Sequence, residues 1–134
     1  MTAFTVGLGC DRGVLLETVR EAVQAALAAA GATREQVTAA ATITLKKDEA
    51  ALLALAEEYG WPLHFYEAEQ LAVVPVPHPS ETVRRYTGTP SVSEAAALLA
   101  AGPDTPMSAL LVEKHKLRGV DGRNATVSIA RKNP

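Results

Sequence analysis

The sequence predicts an α/β fold: a three-layer α/β/α domain on a mixed, mostly parallel five-stranded sheet whose last strand is antiparallel. Three observations predict it. Strand-like and helix-like patterns alternate over the first 66 residues. Alanine is abundant while aromatic residues make up only 4%, which suits helices packed closely on a sheet better than a β-sandwich. No crossover helix separates the last two strand patterns, so the final strand pairs antiparallel.

Each element has its own reason. Ala3 to Leu8 reads as the first strand, short, apolar and bounded by glycine. Asp11 is placed to cap the next helix. Leu15, Leu16, Val19, Ala22, Val23, Ala26 and Leu27 recur there at helical spacing. Gly31 stops that helix, and Thr33 with Gln36 has the spacing of a capping box for a short turn. The second strand runs from Ala39 to Thr44. Asp48 or a neighbour opens the second helix, whose apolar face is Leu52, Leu53, Leu55, Ala56 and Tyr59. Gly60 ends it, and Pro62 pushes Trp61 towards extended geometry. Leu63 to Tyr66 is the third strand, with His64 half buried.

The middle of the chain is less regular. Glu67 to Leu71 makes a short helix. Val74-Pro75-Val76-Pro77-His78-Pro79 is an extended surface loop, because its prolines lack the donors a strand or helix needs. Ser80 to Val83 begins another short helix carrying Arg84 and Arg85, and Thr87 to Pro90 is a turn. Ser91 and Glu94 have capping-box spacing ahead of an alanine- and leucine-rich helix, Val92 to Ala101, which Gly102-Pro103 closes. Ala109 to Val112 is the fourth strand and Ala125 to Ala130 the fifth. The twelve residues 113–124 between them read as a long basic loop.

Composition excludes several function classes. The chain of 134 residues holds one domain, 1–134, with one core. A net charge of −2 removes the global electrostatic case for nucleic acid. One cysteine excludes an internal disulfide framework and a cysteine-based zinc site. His64, His78 and His115 are too scattered for a metal centre, so no metal or cofactor is expected. No apolar run reaches the length of a membrane span. Met1-Thr2-Ala3-Phe4 lacks the basic start and apolar stretch of a signal peptide. The expectation is a cytoplasmic protein with no nucleic-acid or membrane partner.

Two strand–loop–helix junctions carry the candidate site. Val6-Gly7-Leu8-Gly9-Cys10-Asp11-Arg12-Gly13 ends a strand and feeds a helix, so backbone N–H groups and a positive helix end meet there. It is not a dinucleotide fingerprint. The third glycine of G-x-G-x-x-G is one residue late, and lysines follow the second strand where a ribose-binding acid belongs. Lys46 and Lys47 oppose the dipole at a helix start, a local conflict that binding of carboxylates explains and that a solvated helix start also fits. Arg12, Lys46 and Lys47, with the N–H groups around Gly9, Cys10 and Gly13, are the first candidates for anion contacts. Lys114, Lys116 and Arg118 are the second, on the long loop. Asp11 and Asp48 are candidate acid–base groups, with no partner visible in the sequence. Cys10 lacks a paired base and is read as a packed small residue. Gly9–Gly13 and Lys46–Glu49 should lie side by side at one end of the sheet.

Gly7-Leu8-Gly9-Cys10-Asp11-Arg12-Gly13, Thr42-Ile43-Thr44-Leu45-Lys46-Lys47-Asp48-Glu49, Phe65-Tyr66 with Gln70-Leu71, Gly88-Thr89-Pro90-Ser91-Val92-Ser93-Glu94-Ala95-Ala96-Ala97 and Thr126-Val127-Ser128-Ile129-Ala130-Arg131 occur in one order along the chain. That series resembles the CobE and CbiG C-terminal-domain family of cobalamin biosynthesis over essentially the whole length. Asp11 departs from the family pattern, in which a basic residue is expected. The resemblance implies a role in building the corrin ring. CbiG opens a δ-lactone on cobalt-precorrin-5A and releases acetaldehyde, and it carries further domains ahead of this one. A chain that begins with the shared domain is expected to be of the stand-alone CobE type. Corrin precursors carry acetate and propionate carboxylates that lysine- and arginine-bearing loops can receive. Three readings stay open: a carrier of a precorrin intermediate, a hydrolase that opens a precorrin lactone with Asp11 or Asp48 as base, and a partner subunit of a precorrin methyltransferase or another pathway enzyme.

Overall fold

The computed structural model describes residues 2–132. Five strands form one sheet: β1 (Ala3–Cys10), β2 (Val37–Ile43), β3 (Leu63–Tyr66), β4 (Leu110–Arg118) and β5 (Asn124–Lys132). Their order is β3-β2-β1-β5-β4. β1, β2 and β3 are parallel, and β5 is antiparallel to both β1 and β4. Only the last strand is therefore reversed, as the missing crossover helix predicts. Helices α1 (Leu16–Ala30) and α2 (Ala50–Tyr59) cover one face, and α5 (Ser93–Ala101) covers the other, with the short helices α3 (Ala68–Ala72) and α4 (Glu81–Thr87) beside it.

β1 shows why two faces differ. Phe4, Val6 and Leu8 enter a core with Val19, Val23, Leu52, Leu55, Val127 and Ile129. The alternate residues Thr5, Gly7 and Gly9 face α5. Thr5 Oγ1 donates to the Ala97 carbonyl at 2.8 Å. A Cβ on Gly7 would stand 1.8 Å from the Ser93 carbonyl oxygen. Gly7 thus serves close approach of a helix to a strand, not a ligand. It also explains the alanines of α5, since residues 93–98 are all buried. A helix pressed this tightly on a sheet has room only for small side chains between the backbones.

Several boundaries differ from the expectation. The residues 113–118 are strand, not loop, so Lys114, Lys116 and Arg118 sit on β4, and only 119–123 form the turn to β5. Irregular register on either side of Val112 shifts the inward positions and hides the period-2 pattern. Asp11 does not cap α1, which begins at Leu16 behind Leu15. Glu49, the neighbour of Asp48, precedes α2. Val92 rather than Ser91 is the N-cap of α5. His64 is exposed rather than half buried. The glycine stops hold: Gly31 and Gly60 end α1 and α2 in the left-handed conformation.

Candidate functional site

The carboxyl ends of β1, β2 and β4 and the start of β5 lie at one edge of the sheet. The α5 N-terminus reaches the same edge, because Gly7 and Gly9 let it lie against β1. A ligand in an open α/β sheet is placed at this kind of edge.

The two junctions lie side by side there. Arg12 Nη1 is 2.9 Å from Asp48 and 3.1 Å from Glu49. Arg12 Nη2 donates to the Leu45 carbonyl at 2.8 Å. The Gly13 N–H donates to the Glu49 carboxylate at 3.2 Å. Glu49 is buried, so its charge is answered from within by Arg12 and that N–H. Arg12 is therefore half committed to protein partners. Its guanidinium, through a hydrogen bond and its charge, holds the Asp48 carboxyl below the ordinary carboxylate range. That makes Asp48 a weak base. Asp11 is occupied as well: its Oδ2 accepts from the backbone N of Asn124 at 2.8 Å and from its Nδ2 at 3.0 Å. It ties the end of β1 to the start of β5. Burial pushes the Cys10 thiol up from 9.0 to about 12, although Lys46 pulls the other way. A thiol held neutral is no nucleophile at neutral pH.

A cleft of about 650 Å³ opens at this edge. One side is Gly9, Cys10, Asp11 and Arg12, with Leu45 and Lys46. Lys114, Lys116, Asn124 and Thr126 come from β4 and β5. Ser91, Val92 and Ser93 come from the start of α5, and Thr82, Val83, Tyr86 and Thr87 from α4. The volume falls in the usual range for small-molecule sites. Lys46 and Lys116 enter no ion pair among the described residues, so their charge is available. A second cleft of about 670 Å³ adjoins it across Arg12, Leu45, Tyr86 and Thr87, and is lined by Lys47, Asp48, Glu67 and Glu69.

The structure thus brings together Gly9, Cys10, Asp11, Arg12, Lys46, Lys114 and Lys116. Lys47 and Asp48 line the neighbouring cleft. Gly13 lies outside both, bound to Glu49. Arg118 lies outside too, with its guanidinium packed against Gly122 in the β4–β5 turn. Sequence reasoning passed over the α4 wall and the serines before α5. Tyr86, 77% exposed, is the aromatic residue that borders both clefts. Among the described residues no group of histidine, cysteine, aspartate and glutamate side chains is arranged to hold a metal ion. No helix among the described residues is long and apolar enough to cross a membrane.

Residues 4–130 match the family model for the cobalamin synthesis G C-terminus. The chain belongs to that family. A cobalt-precorrin-5A hydrolase from Priestia megaterium is 38% identical over 125 residues, which are 93% of this chain and 31% of the hydrolase. Protein CobE from a Sinorhizobium species is 36% identical over 111 residues, 81% of this chain and 70% of that protein. The chain thus spans about a third of the one relative and about two thirds of the other. The crystal structure of a CobE from the cobalamin biosynthetic pathway superposes with a TM-score of 0.77 at 32% identity, covering 97% of this chain and 90% of that one. Cobalamin biosynthesis protein ChiG from Agrobacterium tumefaciens gives 0.63 at 29% identity, covering 94% and 97%. Within the family, this is a cobalamin-biosynthesis chain of the CobE type, and the mixed sheet is the family fold.

Proposed function

We propose that the chain binds a carboxylate-bearing corrin precursor in the cleft at the sheet edge and carries it between steps of ring assembly. The observation that carries this reading is the lining of the cleft. Lys46, Lys114 and Lys116 surround an opening whose other walls are largely apolar or hydroxyl-bearing, among them Val83, Val92, Tyr86 and Thr126. Anionic side arms can meet the lysines while the macrocycle rests on Tyr86 and the valines. Arg12 contributes less than its charge suggests, because Asp48 and Glu49 already answer it.

The probe is cobyrinic acid, a corrin with free carboxylates, against cobinamide, in which those groups are amides. Isothermal titration should show binding of the acid and at least tenfold weaker binding of the amide. The double substitution Lys46→Ala, Lys116→Ala should lower affinity for the acid by about tenfold or more. Equal binding of both corrinoids, or an unaffected double variant, would count against the reading.

A second reading is favoured by the 38% identity to a cobalt-precorrin-5A hydrolase. Opening of a precorrin lactone would release acetaldehyde and change the mass of the intermediate. Incubation with the lactone-bearing intermediate separates the two, since a carrier binds it stoichiometrically without releasing acetaldehyde. The engagement of Asp11 by Asn124 and of Asp48 by Arg12 supports the carrier.

A further inference from the structure

Behind the cleft lies a carboxylate that the corrinoid reading has not used. Glu94 is fully buried near the start of α5. Its Oε1 accepts from Ser91 Oγ at 2.8 Å. Its Oε2 has no hydrogen-bond partner among the described residues. Lys114 Nζ stands 3.9 Å from Oε1, and no other basic side chain among the described residues pairs with Glu94. A buried carboxylate with one oxygen unsatisfied is costly.

Lys114 is the cation that faces it. Its side chain is 23% exposed, against 53% for Arg12, so it lies lower against the protein than that guanidinium does. The ammonium has three donors. One points to the His78 carbonyl at 3.4 Å, while Glu94, at 3.9 Å, faces the ammonium as a counter-charge without a direct hydrogen bond. Lys114 also lines the cleft, as do Ser91 and the neighbouring start of α5. Glu94 places a counter-charge on the protein side of that ammonium. Lys114 thus has two partners within the protein, which Lys46 and Lys116 lack among the described residues.

We propose that Lys114 is the directed contact for an oxygen of a ligand side-arm carboxylate, and that Glu94, oriented by Ser91, is the positioning residue for its ammonium. Glu94 does not touch the ligand. Lys46 and Lys116 draw the anion in, and Lys114 sets where one carboxylate sits. The inference rests on the corrinoid-binding reading, and its test separates the two.

Protein labelled with 15N-lysine should give a slowly exchanging ammonium signal that Lys114→Met deletes. Glu94→Gln keeps the side-chain shape and should broaden that signal into the solvent-exchanging lysines. In cobyrinic acid titrations, each single variant should weaken binding about tenfold. The double variant should be little weaker than either single variant, because both remove one interaction. An ammonium signal untouched by Glu94→Gln overturns the positioning role. Equal binding by the parent protein and Lys114→Met overturns this inference and leaves the cleft reading standing. No binding of cobyrinic acid by the parent overturns both.

Discussion

Gly7→Ala is the sharpest test of how the site is built. The backbone of Gly7 is not in the left-handed region, so on conformational grounds alone alanine should stabilise the chain by about 0.5 kcal/mol. The packing opposes this. The new methyl would stand 1.8 Å from the Ser93 carbonyl oxygen and 2.7 Å from the Ala97 nitrogen. Both obstacles are helix backbone, which cannot rotate aside like a side chain. Reaching ordinary contact requires α5 to retreat by about 1.5 Å. Overpacking of this kind costs about 3 kcal/mol, or roughly 10 °C in Tm for a domain of this size. The control is Gly60→Ala. Gly60 is left-handed with nothing within 4 Å, so only backbone strain applies, about 1 kcal/mol. Circular dichroism melts and urea titrations of the two variants measure the contrast. The retreat of α5 also moves Ser91 and Ser93, so corrinoid affinity should fall with stability. A Gly7→Ala protein that melts at or above the parent temperature would refute the packing argument.

Four further outcomes follow from the same geometry. Cys10 should react with iodoacetamide at pH 8 far more slowly than the urea-unfolded chain does, since burial holds its thiol neutral; equal rates would show the thiol to be accessible. Its folded value near 12 lies above the ordinary 9.0, so its contribution to stability is complete below pH 9 and is lost as pH rises towards 12; Cys10→Ser should flatten that decline in urea titrations at pH 8 and 10.5. Thr5→Val should cost about 1 kcal/mol by removing the buried hydrogen bond to the Ala97 carbonyl, and a rise in Tm would contradict it. In native hydrogen exchange the amides of α5, buried from Ser93 to Leu98, should be far better protected than those of α4, which has no buried residue; equal protection would mean that α4 is anchored by more than its contacts.

How much was legible follows the physics of each segment. α1 has a regular apolar stripe and a glycine stop, so both its presence and its end were readable. The pairing of the Gly9–Gly13 and Lys46–Glu49 segments followed from parallel neighbouring strands alone. β4 was cut short because its outward residues are charged and its register shifts around Val112, which removes the alternation that marks a strand. That error put Lys114 and Lys116 on a long loop, whereas they stand on a strand that walls the cleft. Ser91 and Glu94 were read as a helix cap, since their spacing is the same whether the hydroxyl bonds a backbone N–H or the carboxylate. Only tertiary packing buries Glu94 and brings Lys114 near it. Tyr86 carried no local signal, because a short helix far along the chain becomes a cleft wall only once the sheet is assembled.

The position of β4 gives its lysines a second consequence. β4 is an outer strand of the sheet, with β5 as its partner and no strand beyond it among the described residues. Such a strand offers open backbone groups to any other extended chain, and charged side chains are the usual deterrent. Glu113, Lys114, Lys116 and Arg118 supply that deterrent here. The cations proposed to receive an anionic ligand therefore also guard the strand against neighbouring molecules joining edge to edge. A variant stripped of all of them to abolish binding would gain a tendency to aggregate, visible as scattering that grows with protein concentration, whereas single substitutions leave the guard in place.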